Sequence, residues 1–126
     1  MTREEKELLL RDLCTRLSCR VKVALHKETC ILLGIKNNKI YLDVDSSSFD
    51  VESIKPYLRP MSSMTEEEYE ELKFVEPYYG LAPFEYIGDW GPNVEVLDWL
   101  NQHHFDYRGL IEKGLALVAP KDMYEF

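Results

Sequence analysis

An α+β domain is the fold class this sequence predicts, with residues 1–126 forming a single domain. The expected order is an N-terminal helix, a three-stranded antiparallel meander, then two further helices and an ordered aromatic-rich loop. Three observations predict it. Apolar residues near the N-terminus recur at three- and four-residue steps. Those from 21 to 44 alternate, or run in short blocks split by turn residues. After residue 65 helical spacing returns.

The first helix opens on Thr2 and Glu5, a capping-box pair. Leu9, Leu10, Leu13 and Leu17 make its apolar stripe, with Leu8 at the border and Ser18 as a stop. Val21, Val23 and Leu25 then alternate with Arg20, Lys22 and Ala24, as in a strand with one wet face. His26 to Thr29 reads as a hairpin loop, and Cys30 to Ile35 as a second strand. Lys36-Asn37-Asn38-Lys39 is a tight-turn signal, because Asn tolerates the left-handed backbone of a type I′ turn. Ile40 to Val44 completes the meander.

Asp45 to Ser48 is polar and reads as a loop. Phe49, Val51 and Ile54 fit a short helical turn limited by Pro56, and Pro56 to Pro60 an extended stretch. Thr65 and Glu68 repeat the capping-box logic for a second helix, with Glu66 and Glu67 suiting its N-terminal dipole. Residues 75–92 hold three prolines, three glycines and the aromatics Tyr78, Tyr79, Phe84, Tyr86 and Trp90. Flexible linkers are not aromatic-rich, so this stretch reads as an ordered loop over the core. A third helix is expected from Asn93 to His103, a turn over Asp106 to Gly109, and a last strand from Leu115 to Ala119.

A chain of 126 residues is long enough to bury a core without disulfides or a structural metal. The three cysteines, Cys14, Cys19 and Cys30, are an odd number and read as reduced thiols. No apolar run exceeds five residues and the first seven residues carry charges of both signs. The expectation is a cytoplasmic protein with no membrane partner. The net charge of −8 disfavours nucleic acid as a ligand. That charge is unevenly placed: residues 1–60 carry a net +2 and residues 61–126 a net −10.

Three groups of residues carry side chains suited to chemistry. His103, His104, Asp106 and Arg108 combine imidazole, carboxylate and guanidinium, the types used for proton transfer, metal binding and anion clamping. Their spacing matches no catalytic signature, and the favoured reading is a helix C-terminus: His103 and His104 lie where cations suit the dipole, and Asp106 and Arg108 tie down the following turn. Cys14, Cys19, His26 and Cys30 are zinc-ligand types, yet no pair has a knuckle spacing, and Cys14 beside Leu13 reads as an inward residue. No metal and no cofactor is therefore expected. The rings Tyr78, Tyr79, Phe84, Tyr86 and Trp90, interleaved with Glu76, Glu85 and Asp89, are either core or a binding patch suited to a basic protein.

Leu8 to Cys14 (LLLRDLC), Lys55 to Leu72 (KPYLRPMSSMTEEEYEEL) and Asp98 to Met123 (DWLNQHHFDYRGLIEKGLALVAPKDM) resemble small uncharacterised proteins encoded by gut Bacteroidetes and by their phages and mobile elements. These stretches cover under half the chain. The family has no assigned activity, so the resemblance implies a bacterial or phage accessory protein and no mechanism.

The functional expectation is a non-enzymatic protein–protein interaction module whose acidic half meets a partner with a basic surface. Two alternatives stand beside it. One is a metal-dependent hydrolase or nuclease using His103, His104, Asp106 and Arg108. The other is a nucleic-acid mimic presenting the Glu66 to Glu71 run to a defence enzyme. Nothing in the sequence sets the oligomeric state.

Overall fold

The computed structural model describes residues 1–44, 47–75 and 94–124. In chain order they form α1 (Arg3–Thr15), β1 (Lys22–Leu25), β2 (Glu28–Lys36), β3 (Lys39–Leu42), β4 (Ser48–Asp50), β5 (Ile54–Pro60), α2 (Glu66–Val75), α3 (Val94–Gln102), β6 (Phe105–Asp106) and β7 (Leu117–Val118). Short 3-10 turns cover Leu17–Cys19, Val51–Ser53 and Met61–Ser63.

The fold is mixed α/β, with three helices and one seven-stranded sheet among the described residues. This corrects the expected three-stranded meander and the expected run of elements. The sheet path is β4-β3-β2-β1-β5-β6, with β7 also paired to β5. β4 comes from a stretch read as loop and helical turn, and three residues are too few to display an alternating pattern. β6 and β7 follow α3 and pair parallel to β5 over two residues each.

β5 enters the sheet despite Pro56 and Pro60, and its alternation explains how. The Arg59 N–H donates to the His104 carbonyl, toward β6, while the Leu58 carbonyl accepts from Ala119, toward β7. Pro56 and Pro60 share the parity of Leu58, so their missing donors face the β7 side. There β7 reaches only Tyr57 and Leu58.

α1 begins with the capping box: Glu5 N–H donates to Thr2 Oγ1 at 3.1 Å and Thr2 N–H to Glu5 Oε1 at 2.8 Å. Leu9 and Leu13 are fully buried against the sheet, with Leu8, Leu10 and Leu17 packed beside them. The β2–β3 turn has Asn37 at φ 53° and Asn38 at φ 62°, the two left-handed residues of a type I′ turn. A bulge at Leu33 lets Leu32 pair with Leu42 and Gly34 with Tyr41. That extra residue keeps Leu32 buried and Ile35 packed on the core, and leaves Leu33 62% exposed.

Among the described residues the buried apolar side chains form two clusters. The first lies between α1 and the sheet and includes Leu9, Leu13, Val23, Leu32, Ile40, Leu58 and Leu110. The second gathers Leu72 of α2, Val96, Trp99 and Leu100 of α3, and Phe105 of β6. β5 joins them, paired with β1 at one end and β6 at the other. Polar side chains lie along that seam.

Candidate functional site

The seam is built on α1. Asp12 and Arg16 lie one helical turn apart and both side chains are fully buried. Arg16 Nε donates to Asp12 Oδ2 at 2.8 Å and its Nη2 to Asp12 Oδ1 at 3.1 Å, a two-point grip on one carboxylate. Nη2 also donates to the Phe105 carbonyl at 2.7 Å, tying α1 to β6 across 89 residues. Arg108 Nη1 reaches the same Asp12 Oδ1 at 2.8 Å and donates to the Tyr107 hydroxyl. Tyr107 in turn donates to Asn101 Oδ1 at 2.8 Å. The Tyr107 ring faces both guanidinium groups, 5.1 Å from Arg16 and 4.8 Å from Arg108. Two cations thus share one anion, and Arg16 Nη1 is buried without a hydrogen-bond partner.

A second column of flat groups runs through the α2–α3 cluster. Arg59 lies 4.2 Å over Phe105, Phe105 stacks 5.8 Å from Trp99, and Trp99 stacks 4.0 Å from His103. Glu68 holds the Arg59 end with two bonds of 2.6 Å, while its Oε1 also closes the capping box on Thr65 N–H. The bonds from Arg59 push the Glu68 carboxyl below its ordinary range, against the opposing effect of burial. At the other end Trp99 Nε1–H donates to Glu71 Oε1 at 3.2 Å, and His103 Nε2 lies 3.9 Å from that oxygen.

Of the predicted cluster, Arg108 belongs to the first arrangement and His103 to the second, while His104 and Asp106 bond elsewhere, so the four serve different neighbours. His103 belongs to the Trp99 stack, with Nδ1 2.9 Å from the Trp99 carbonyl. His104 has φ 63° and a buried ring stacked 3.6 Å from Tyr124. Burial, reinforced by Arg16, His103, Arg59 and Lys22, pushes the His104 pKa down to about 3. It is therefore neutral at pH 7, not the helix-end cation its position suggested. Asp106 accepts the Leu110 and Ile111 N–H groups, both at 2.9 Å, and so caps the turn that follows. Arg108 leaves that turn for Asp12.

Among the described residues no three His, Cys, Asp or Glu side chains gather as a metal-holding group. Cys14 is exposed, not inward as its neighbour Leu13 suggested; Cys19 is half-buried and Cys30 buried. No described helix is long and apolar enough to cross a membrane. The proposed aromatic patch, Tyr78, Tyr79, Phe84, Tyr86 and Trp90, lies outside the described residues.

The acidic run is better defined. Glu68 pairs with Arg59, and Glu66, Glu67 and Glu70 are exposed residues of α2. With Met61, Met64, Thr65 and Tyr69 they line a groove of about 770 Å³. Met61 and Met64 are half-buried and pack against the second cluster, so the groove has flexible apolar walls beside carboxylates.

Sequence reasoning passed over four residues that organise these sites: Asp12, Arg16, Arg59 and Tyr124. For Asp12 and Arg16 a signal was present, because they fall at helical spacing from Leu9 and Leu13 and hence on the inward side. Arg59 and Tyr124 carried none, since their partners are distant in sequence. Comparison with protein-family models, with curated proteins and with solved structures finds no match to this chain.

Proposed function

We propose that this chain is a non-enzymatic interaction module, a cytoplasmic accessory protein of bacterial or phage origin, that binds a basic protein segment through the α2 groove. One observation supports this most directly. Glu66, Glu67 and Glu70 stand beside the methionines Met61 and Met64 and the ring of Tyr69 in one groove. Carboxylates attract a basic segment and orient it, while methionines adapt to its aliphatic side chains. The excess of negative charge in residues 61–126 adds long-range attraction to the same half.

The test is a calorimetric titration of the intact chain with two synthetic helical peptides of equal charge. One carries lysines and leucines on opposite faces; the other has its leucines replaced by serine. The expected result is saturable binding of the leucine peptide at physiological salt, weakened about tenfold or more by combined Glu66→Gln, Glu67→Gln and Glu70→Gln changes. Equal binding of both peptides would reduce the groove to unspecific charge attraction and overturn the reading. So would unchanged binding by the triple variant.

A further inference from the structure

Tyr124 occupies a place in the sheet that belongs to a strand. β1 and β5 pair antiparallel, Leu25 with Ile54, Ala24 with Lys55 and Val23 with Pro56. One step further, Lys22 faces Tyr57. By the alternation of the ladder this rung follows Ala24–Lys55 on the bonding side, and a direct Lys22 N–H to Tyr57 carbonyl bond would continue it. Instead, Lys22 N–H donates to the Tyr124 hydroxyl at 2.8 Å, and that hydroxyl donates to the Tyr57 carbonyl at 2.8 Å. The Lys22 carbonyl lies 3.4 Å from the same oxygen. Past this point the Arg59 N–H turns to His104 of the β6 segment. The phenol is thus a wedge between the end of β1 and the start of β6.

The rest of the surroundings suit a phenol. The His104 ring stacks on it with centroids 3.6 Å apart, and Lys22 Nζ lies 5.8 Å from the Tyr124 ring centroid while donating to the Met123 carbonyl at 3.0 Å. The tether has a different character. Ala119 is fastened to Leu58, but Pro120, Lys121 and Asp122 are exposed. The hold on residues 120–124 is concentrated in Tyr124 and Lys22.

We propose that the space between Lys22, Tyr57 and His104 is a phenol-specific socket, filled by the chain's own Tyr124, and that residues 120–124 leave it as a latch hinged at Ala119 and Pro120. Two arrangements of the same backbone then compete. With the latch in, the hydroxyl bridges Lys22 and Tyr57. With it out, the Lys22 N–H and the Tyr57 carbonyl turn to water, so neither is left without a partner and the amide becomes open to exchange. The emptied face beside His104 accepts a tyrosine side chain and discriminates against phenylalanine, because only a hydroxyl answers both the Lys22 donor and the Tyr57 acceptor.

Native-state hydrogen exchange on the full chain tests the latch. The Lys22 amide is expected to exchange about tenfold or more faster than the Leu32 amide, which bonds Val21 within the sheet, and with little dependence on added urea. Identical rates and urea slopes for the two amides would show that residues 120–124 leave only on global unfolding and would overturn the latch. The socket is tested with p-cresol and toluene, which differ by the hydroxyl. In Tyr124→Ala, p-cresol is expected to slow Lys22 exchange and toluene to leave it unchanged. An effect of both would mean an unspecific apolar hole, and an effect of neither no socket; each result overturns the proposal. Tyr124→Phe keeps the ring and serves if the alanine variant does not fold. Its Lys22 amide is expected to exchange faster than the wild type's, and an unchanged rate counts against the hydroxyl's role.

Discussion

Asp12 and Arg108 are 96 residues apart in sequence and 2.8 Å apart in the fold. Their contact closes the seam between the two apolar clusters, with Arg16 bound to the other side of the same carboxylate. Removing one member of a buried ionic group leaves the others desolvated and uncompensated. Asp12→Asn should therefore destabilise the chain by about 3–5 kcal/mol, while Arg108→Gln, at the partly exposed edge, should cost only about 1 kcal/mol. Urea denaturation of the two variants checks the order. Equal losses would mean that Arg108 is as deeply committed as Asp12.

His104 makes stability depend on acid. Its pKa is about 3 in the fold against an ordinary 6.5, chiefly because burial opposes the charged ring. Between those values the unfolded chain takes up a proton that the folded chain refuses. The stabilisation is complete above the ordinary value and is lost steadily as the pH falls toward the folded one. His104→Asn keeps a residue tolerant of the left-handed backbone and cannot titrate. From about pH 7 to about pH 5.5, the wild type should lose about 1 kcal/mol more than this variant. Parallel denaturation curves at the two pH values measure it.

Tyr124 sets the opposite limit. Burial raises its pKa to about 12 from 10.0. Its neutral hydroxyl stabilises the fold below the ordinary value, and that contribution disappears as the pH rises through the window between the two. Tyr124→Phe should flatten the alkaline edge of the stability profile, read by thermal melts from about pH 9 upward.

Glu68 serves two elements at once, capping α2 at Thr65 and gripping Arg59 on β5. Glu68→Gln should cost about 2 kcal/mol, more than the roughly 1 kcal/mol of Thr65→Ala, which removes the cap alone. Because the Glu68 carboxyl is held below 4.5, its contribution is present above that value and is lost as the pH falls below it. Denaturation midpoints of both variants separate the cap from the ion pair.

The β2–β3 turn offers a test of local backbone alone. Asn37 and Asn38 both have positive φ. Asn38→Gly should leave stability within about 0.5 kcal/mol of the wild type or raise it slightly, whereas Asn38→Val should cost about 1–2 kcal/mol. Calorimetric melting temperatures rank the three chains.

Local rules were enough for the local features. Thr2 with Glu5, and Thr65 with Glu68, form the hydrogen-bonded caps their spacing predicts, and Asn37-Asn38 form the turn their tolerance of left-handed backbone predicts. Each depends on residues within four positions of one another, so the pattern and its cause lie in the same few residues. The acidic excess of the second half is likewise a property of composition, and it reappears as exposed glutamates on α2. What long-range pairing decided was invisible from such windows. β6, two residues long, has no period to read and exists because β5 offers it an edge, whereas β7 falls within the last strand expected from Leu115 to Ala119 and only its partner, β5, was hidden.

The chain's own sequence thus determined where helices begin, where the tight turn falls and which half is negative, because those follow from short-range sterics, hydrogen bonding and charge. Only the tertiary structure decided that the described apolar residues gather in two clusters, that a buried carboxylate lies between them, and that His103, His104, Asp106 and Arg108 serve different neighbours. Those outcomes depend on which distant groups become neutralised or desolvated together, and that free energy is set when α1, β5 and β6 come into contact.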